Sequence, residues 1–310
     1  SLLIVIIEMS GNTVEVRNLS KSFNHFDAVK NISFEISTAS VYGFLGQNGA
    51  GKSTTMRMLL SLIQPSAGEI KMFDKPLKGN EKYILSKIGA IIEKPDSYNY
   101  LSGVDNLRIF SKMYGLPSTT STLDSLLERV GLQGRGNDKV KSYSQGMKQR
   151  LGIAIALLND PEFIILDEPT NGLDPQGISE IRNLILHFSK NEGRTILISS
   201  HLLNEIELVA DSMIILHKGE KMVEGKVNQL LDPSKTLVEI ETQNKELAMI
   251  IISESQWSKQ LKSNKGLSFE MNKNDIASLI KFLVERNISV ENVKSNHSLE
   301  NYFLQLTNAS

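Results

Sequence analysis

One octet limits the fold of this chain more than any other feature. Gly46-Gln47-Asn48-Gly49-Ala50-Gly51-Lys52-Ser53 fits G-x-x-x-x-G-K-[ST]. An apolar run, Val41 to Leu45, precedes it, and a helical pattern from Lys52 to Leu62 follows. Strand, glycine turn and helix in that order make a phosphate site, the P-loop. The glycines let the backbone curl with its N–H groups inward, where no Cβ obstructs a phosphate. The helix N-terminus adds the positive end of its dipole. Lys52 is placed to reach β- and γ-phosphates, and Ser53 offers a hydroxyl to Mg²⁺. Gln47 through Ser53, with Thr54 behind them, are the expected nucleotide contacts.

More than a hundred residues later comes Phe163-Ile164-Ile165-Leu166-Asp167-Glu168. Four successive apolar residues suit a parallel strand buried on both faces. The two carboxylates stand at its C-terminal end, where open α/β sheets bind ligands. Asp167 is a candidate Mg²⁺ ligand, and Glu168 a candidate base for an attacking water. Gly172-Leu173-Asp174-Pro175 then opens a helix, with Asp174 as N-cap and Pro175 in the first turn. Ile196-Leu197-Ile198-Ser199-Ser200-His201 reads as a further buried strand ending in a histidine. That histidine occupies the slot expected of a γ-phosphate sensor.

Upstream of the acidic strand, Tyr143-Ser144-Gln145-Gly146-Met147-Lys148-Gln149-Arg150 caps a helix running to Leu158, with Ser144 as N-cap. In order with the other motifs, this octet resembles the signature of ATP-binding cassette (ABC) ATPases, usually Leu-Ser-Gly-Gly-Gln. Ser144 and Gly146 are kept; Tyr143, Gln145 and Met147 depart. The resemblance spans roughly residues 12 to 230. It implies a P-loop NTPase α/β fold with an inserted helical subdomain, ATP and Mg²⁺ as ligands, and hydrolysis with Lys52, Glu168 and His201 as the catalytic set. It places Phe23 where an aromatic stacks on adenine, with Phe26 as the nearest aromatic alternative. It implies a head-to-tail homodimer, or pairing with a homologous ATPase, in which Ser144, Gly146 and Asp174 act on the partner's nucleotide.

The family usually carries glutamine after the strand that follows the P-loop helix. Here Ile88-Gly89-Ala90-Ile91-Ile92-Glu93-Lys94-Pro95 puts Glu93 in that slot. A carboxylate still ligates Mg²⁺ but cannot donate as an amide does, so Glu93 joins Ser53 and Asp167 as an expected metal ligand. It is either a tolerated isostere or the mark of a subfamily. This loop and the variant signature resemble the ATPase subunits of lantibiotic immunity and bacitracin-resistance transporters.

The 310 residues, 40% hydrophobic, suffice for one large domain and a small one. Lys and Arg number 34 against 35 Asp and Glu, a formal net charge of −1, so no broad basic character points to nucleic acid. Zero cysteines exclude disulfides and thiolate metal sites. No run of 18 or more apolar residues is present to span a membrane, and Leu2 to Ile7 is far too short. Residues 1–11 read as an N-terminal extension, 12–232 as the ATPase domain with a helical subdomain at about 94–150, and 233–310 as an accessory domain.

Within the helical subdomain, Tyr98, Tyr100 and Leu101 are candidates either for contact with membrane subunits or for internal packing. Pro175 to Lys190 carries Ile178, Ile181, Ile185 and Phe188 at helical spacing. In the accessory domain, strands are expected at Leu237–Glu241, Leu267–Met271 and Ile288–Val293. Helical stripes are expected at Ile276–Val284 and at Leu299, Tyr302, Phe303 and Leu306. This makes a small α+β fold without a catalytic constellation.

The expectation is therefore the ATP-hydrolysing subunit of an ABC exporter for bacteriocins or peptide antibiotics. It would be cytoplasmic, held at the inner face of the membrane by separate permease subunits, and would bind no nucleic acid. The alternatives are a subunit of another drug or lipid exporter, or a soluble ABC ATPase outside transport. Translation-associated members carry two cassettes and DNA-repair members a long coiled coil; this chain has one cassette and no sustained heptads.

Overall fold

Runs of successive apolar residues become the central strands, because a parallel sheet covered on both faces leaves no strand face for water. In the computed structural model, which describes residues 11–93, 97–230, 236–263 and 267–297, the chain divides into a unit ending at Gly225 and a unit beginning at Lys226. The domain boundary expected after Asp232 lies outside the described residues, as do the N-terminal run through Met9, Lys94, Pro95 and the stripe from Leu299 to Leu306.

The first unit opens with the hairpin β1 (Asn12–Phe23) and β2 (Phe26–Ser37). Then come β3 (Val41–Leu45), α1 (Lys52–Leu59), β4 (Ala67–Met72), β5 (Lys75–Pro76), α2 (Glu81–Leu85) and β6 (Ile88–Ile91). The helical segment holds α3 (Gly103–Met113), α4 (Thr120–Arg129) and α5 (Gln145–Ala156). The unit closes with β7 (Phe163–Leu166), α6 (Pro175–Lys190), β8 (Thr195–Ser200), α7 (Leu203–Glu207), β9 (Ser212–His217) and β10 (Glu220–Lys226).

Six strands form one sheet in the order β10-β9-β3-β8-β7-β6, with β9, β3, β8, β7 and β6 paired in parallel. Every residue of β3, β7 and β8 is buried. The antiparallel sheet β2-β1-β4-β5 shares one core with it, in which Phe34, Phe44, Met56 and Phe163 meet. Because β3, β8 and β7 are neighbours in parallel, with Leu45 opposite Ser200 and Leu166 opposite Ile198, the residues that follow them converge on one edge of the sheet. That edge holds the P-loop, His201, Asp167 and Glu168.

Two helices are shorter than their apolar patterns suggest. α1 ends at Leu59 instead of Leu62, since Ser61 takes a positive φ of 56° and Leu62 turns outward. α5 ends at Ala156 instead of Leu158.

The second unit contains α8 (Val227–Leu230), β11 (Thr236–Glu241), α9 (Lys245–Ser253), β12 (Leu261–Ser263), β13 (Leu267–Met271), α10 (Ile276–Val284) and β14 (Asn292–His297). From β11 onward the sequence is β-α-β-β-α-β in an antiparallel sheet of order β12-β13-β11-β14, the ferredoxin-like arrangement. Val238, Ile240, Ile252, Trp257, Phe269, Leu279 and Leu283 fill its core. The last strand begins at Asn292 instead of Ile288: Ile288 is buried from the turn after α10, so its apolar character serves packing outside the sheet.

Candidate active site

The P-loop backbone explains its own glycines. A Cβ on Gly46 would fall 2.5 Å from the Leu216 carbonyl, and Gly51 has φ +103° with a virtual Cβ 2.7 Å from the Ala28 carbonyl. Gly51 is also the N-cap of α1 and supplies no side-chain cap. By contrast α3, α4, α5 and α6 are capped by the side chains of Ser102, Thr119, Ser144 and Asp174. The leading N–H groups of α1 are thus left to an external acceptor, which is the geometry of an anion site.

Lys52 is 5% exposed. Its ammonium donates to the Gly46 carbonyl at 2.5 Å and lies 3.0 Å from Glu168 Oε1. That carboxylate oxygen is buried and takes no aligned hydrogen bond among the described residues, so its contact with Lys52 is Coulombic. The other oxygen, Oε2, lies 2.8 Å from His201 Nδ1. Lys52, Glu168 and His201 therefore form one contiguous polar array across the ends of three elements. Glu168 adopts φ +48°, a conformation unusual for a residue with a side chain.

Asp167 is 4% exposed, and its Oδ1 accepts from Ser199 Oγ at 2.5 Å. Its N–H donates to the Ile91 carbonyl at 2.9 Å, extending the β6–β7 ladder by one step. The loop carrying His201 is tied down by Glu205 Oε2, which accepts from Thr170 Oγ1 at 2.8 Å and Ser200 Oγ at 2.6 Å.

A cleft above the P-loop is lined by Phe26, Ala28, Gln47 to Gly49, Gly51 to Thr54, and Glu168. Ala50 faces the core instead, 4% exposed. Phe23 is absent from this lining. It pairs with Phe26 across the β1–β2 turn, and Lys21 Nζ stands 4.9 Å from its ring centre. Among the described residues no group of three or more His, Cys, Asp or Glu side chains forms a metal cage. Ser53 and Asp167 offer one hydroxyl and one carboxylate, a donor set that suits Mg²⁺, which keeps water and phosphate oxygens as its remaining ligands. Glu93 points elsewhere: with φ +68°, its carboxylate pairs with Arg57 near the end of α1 and is largely exposed.

The signature helix α5 presents an exposed start. Ser144 Oγ accepts from Met147 N–H at 3.2 Å and Gln145 is exposed. Asp174 caps α6 through Gly177 N–H at 3.0 Å, and a Cβ on Gly146 would sit 3.8 Å from Gly177 Cα. The two motifs are therefore adjacent on one surface. Tyr143, in place of the usual leucine, is buried, and its hydroxyl donates to the Arg135 carbonyl at 2.7 Å. Burial raises its pKa, so the phenol stays a neutral donor. Tyr98 and Tyr100 are both exposed, with ring centres 5.9 Å apart.

Three neighbours of the site are not distinguished by pattern alone: Ser199, Phe26 as a lining residue, and Arg57. The signal for Ser199 is a hydroxyl inside an otherwise apolar buried run. Arg57 carries none, since a basic residue in the last turn of a helix is commonplace.

A family model described as ABC transporter matches residues 29–171. The chain is 38% identical over 296 residues to a bacitracin transport ATP-binding protein, BcrA, of Bacillus licheniformis, covering 94% of this chain and 96% of that one. It is 42% identical over 227 residues to a lantibiotic transport ATP-binding protein, SrtF, of Streptococcus pyogenes, covering 73% of this chain and 95% of that one. Among solved structures, the ATP-binding subunit of an ABC transporter aligns with a TM-score of 0.62 at 30% identity, over 70% of this chain and 91% of that chain.

Proposed function

This chain belongs to the ABC transporter ATP-binding family, and from that premise we propose that it hydrolyses ATP between two copies of itself to drive export of a peptide antibiotic. The observation that carries the catalytic part is the Lys52–Glu168–His201 array, of which Lys52 and Glu168 line the phosphate cleft and His201 bonds Glu168.

ATP seats its phosphates on the N–H groups of the P-loop and of the first turn of α1. Lys52 turns from Glu168 and the Gly46 carbonyl to the β- and γ-phosphate oxygens. Glu168, released from that ion pair and still held by His201, accepts a proton from the attacking water. His201 donates toward the γ-phosphate. Ser53 and Asp167 would hold Mg²⁺, which would supply positive charge to offset that of the phosphate oxygens. Ser144, Gly146 and Asp174 of one copy face the nucleotide of the other. Each chain carries one P-loop and one signature, and the exposed start of α5 gives that signature free access.

Among the described residues no helix is long and apolar enough to cross a membrane. We therefore assign the transmembrane path to separate permease subunits, with this chain docked at their inner face. The cargo reading is supported by relatives named for bacitracin and lantibiotic transport.

Glu168→Gln tests the catalytic reading: it should strongly lower steady-state hydrolysis while ATP shifts the protein to twice its mass in gel filtration. Wild-type turnover by that variant would remove Glu168 from the role of base. Export is tested by growth inhibition with bacitracin and a lantibiotic in cells carrying chain and permease. Loss of protection is expected on deleting the chain, and unchanged sensitivity to both would reject the peptide cargo.

A further inference from the structure

Two hydroxyls precede His201, and the second, Ser200, is accounted for by Glu205. The first, Ser199, has no part in the mechanism above, yet it is fully buried at the end of β8, between β3 and β7. Its single oxygen does two things. Ser199 Oγ donates to Asp167 Oδ1 at 2.5 Å and accepts the Glu168 N–H at 2.8 Å. It therefore grips the side chain of one carboxylate residue and the backbone of the next.

Both grips bear on chemistry. Glu168 lies just beyond β7 with φ +48°, and that conformation accompanies the placement of its carboxylate between Lys52 and His201. Left-handed backbone in a residue with a Cβ persists only where the surroundings hold it, and the Glu168 N–H bond to Ser199 is such a restraint. The Asp167 bond is short and charge-assisted. It commits Oδ1 and fixes the orientation in which Oδ2 is presented.

We propose that Ser199 is a positioning residue of this ATPase, setting the Asp167 carboxylate for Mg²⁺ and the Glu168 backbone for catalysis through one hydroxyl; this rests on the roles assigned to Asp167 and Glu168 above. It makes β8 the common support of the sheet edge: the same strand ends in His201 and orients the two carboxylates of its neighbour. A merely space-filling serine would tolerate alanine and gain nothing from threonine. A positioning hydroxyl behaves in the opposite way. Threonine suits a strand, and Ser199 borders a small cavity that apolar Ile178, Ile185 and Val209 line together with Arg182 and Glu205, so an added methyl group meets open space on that side.

The test compares Ser199→Ala and Ser199→Thr in the full chain, with three readouts. These are ATPase kcat and KM, melting temperature, and Mn²⁺ affinity of the ATP complex by electron paramagnetic resonance in a Glu168→Gln background. As for partners behind metal ligands generally, Ser199→Ala should cut kcat and Mn²⁺ affinity by about 10- to 100-fold with KM for ATP near wild type, and Ser199→Thr should restore both to within about threefold. Wild-type kcat and Mn²⁺ affinity in Ser199→Ala would overturn the proposal. So would equal impairment of the alanine and threonine variants. Should the alanine variant not fold, Ser199→Cys, close in volume but a weak donor, takes its place against threonine with the same criteria. Failure of the base reading is separable: an active Glu168→Gln would remove Glu168 as base, while the Mn²⁺ comparison would still report on Ser199 and Asp167.

Discussion

In the first unit β3, β7 and β8 run parallel and are buried along their whole length, whereas in the second β11 and β13 belong to an antiparallel sheet and alternate or nearly alternate in burial. The difference decides where chemistry can gather. Parallel neighbours deliver all their C-terminal ends to one edge, so Lys52, Glu168 and His201 meet there although they are far apart in the chain. Antiparallel neighbours send successive ends to opposite edges. The less buried face of that sheet carries paired charges instead, with Lys294 Nζ 2.8 Å from Glu241 and Lys262 Nζ 3.1 Å from Glu270. Such exposed pairs contribute little to stability, because solvent screens them.

The largest effect expected from this contrast is at Glu168. Glu168→Gln should lower hydrolysis by about 10²- to 10⁴-fold, the usual worth of a general base, with ATP affinity retained. A steady-state phosphate-release assay beside ATP titration reads both. A large loss of affinity instead would make Glu168 a binding residue and blur the division of labour along the edge.

Next is the core of the second unit. Phe269 is fully buried there, so Phe269→Ala should destabilise that unit by about 3–5 kcal/mol and leave ATP affinity of the first unit unchanged. Calorimetry with and without ATP checks this. An ATP affinity that falls together with the melting transition would break the separation of the two units.

A smaller effect is expected at the tip of the β1–β2 hairpin, where Phe23 and Phe26 face each other. Removing both rings should weaken adenine nucleotides by about 1–3 kcal/mol, the range for base–aromatic stacking. The single variants assign that loss. A loss confined to Phe26→Ala would place the stacking ring on β2, where the cleft lining has it; a loss confined to Phe23→Ala would keep it in the family's slot. No loss in the double variant would exclude aromatic stacking from this site.

The smallest is at Glu93. Its pair with Arg57 is exposed, so Glu93→Gln should change stability by less than about 1 kcal/mol and keep basal hydrolysis. It should nevertheless lower protection against the peptide in cells carrying the permease, because the side chain links α1 to the start of the helical segment. Full protection with glutamine would leave Glu93 without a coupling role.

Residues whose chemistry depends on local spacing are legible in the sequence itself. The P-loop glycines, Ser144 as a cap and Asp174 with Pro175 are settled by short-range geometry, and each is found in the element expected of it. Asp167 and Glu168 are legible because four apolar residues precede them. Ser199 is not, since its meaning comes from a strand that pairs with its own from more than thirty residues away. Arg57 has its meaning only through Glu93, which lies beyond β4, β5, α2 and β6. In the second unit α9 gives no clear signal because Met249-Ile250-Ile251-Ile252 is a continuous apolar run without helical period, and β12 gives none because three residues are too few to show alternation.

The tyrosine that replaces the usual leucine ahead of Ser144 has a consequence for how such chains diverge. A Cβ on Gly103 would lie 2.5 Å from the Tyr143 hydroxyl, inside any tolerable contact. Gly103 opens α3, where alanine would otherwise favour the helix. Alanine at position 103 would therefore have to displace that hydroxyl from the Arg135 carbonyl, which opposes a change that helix propensity encourages. The two positions are mutually permissive only in certain pairs, tyrosine with glycine or a shorter side chain with alanine. A lineage moving between these pairs must pass through glycine with the shorter side chain. An aligned set of relatives should show the pairs and that one intermediate, and lack tyrosine with alanine.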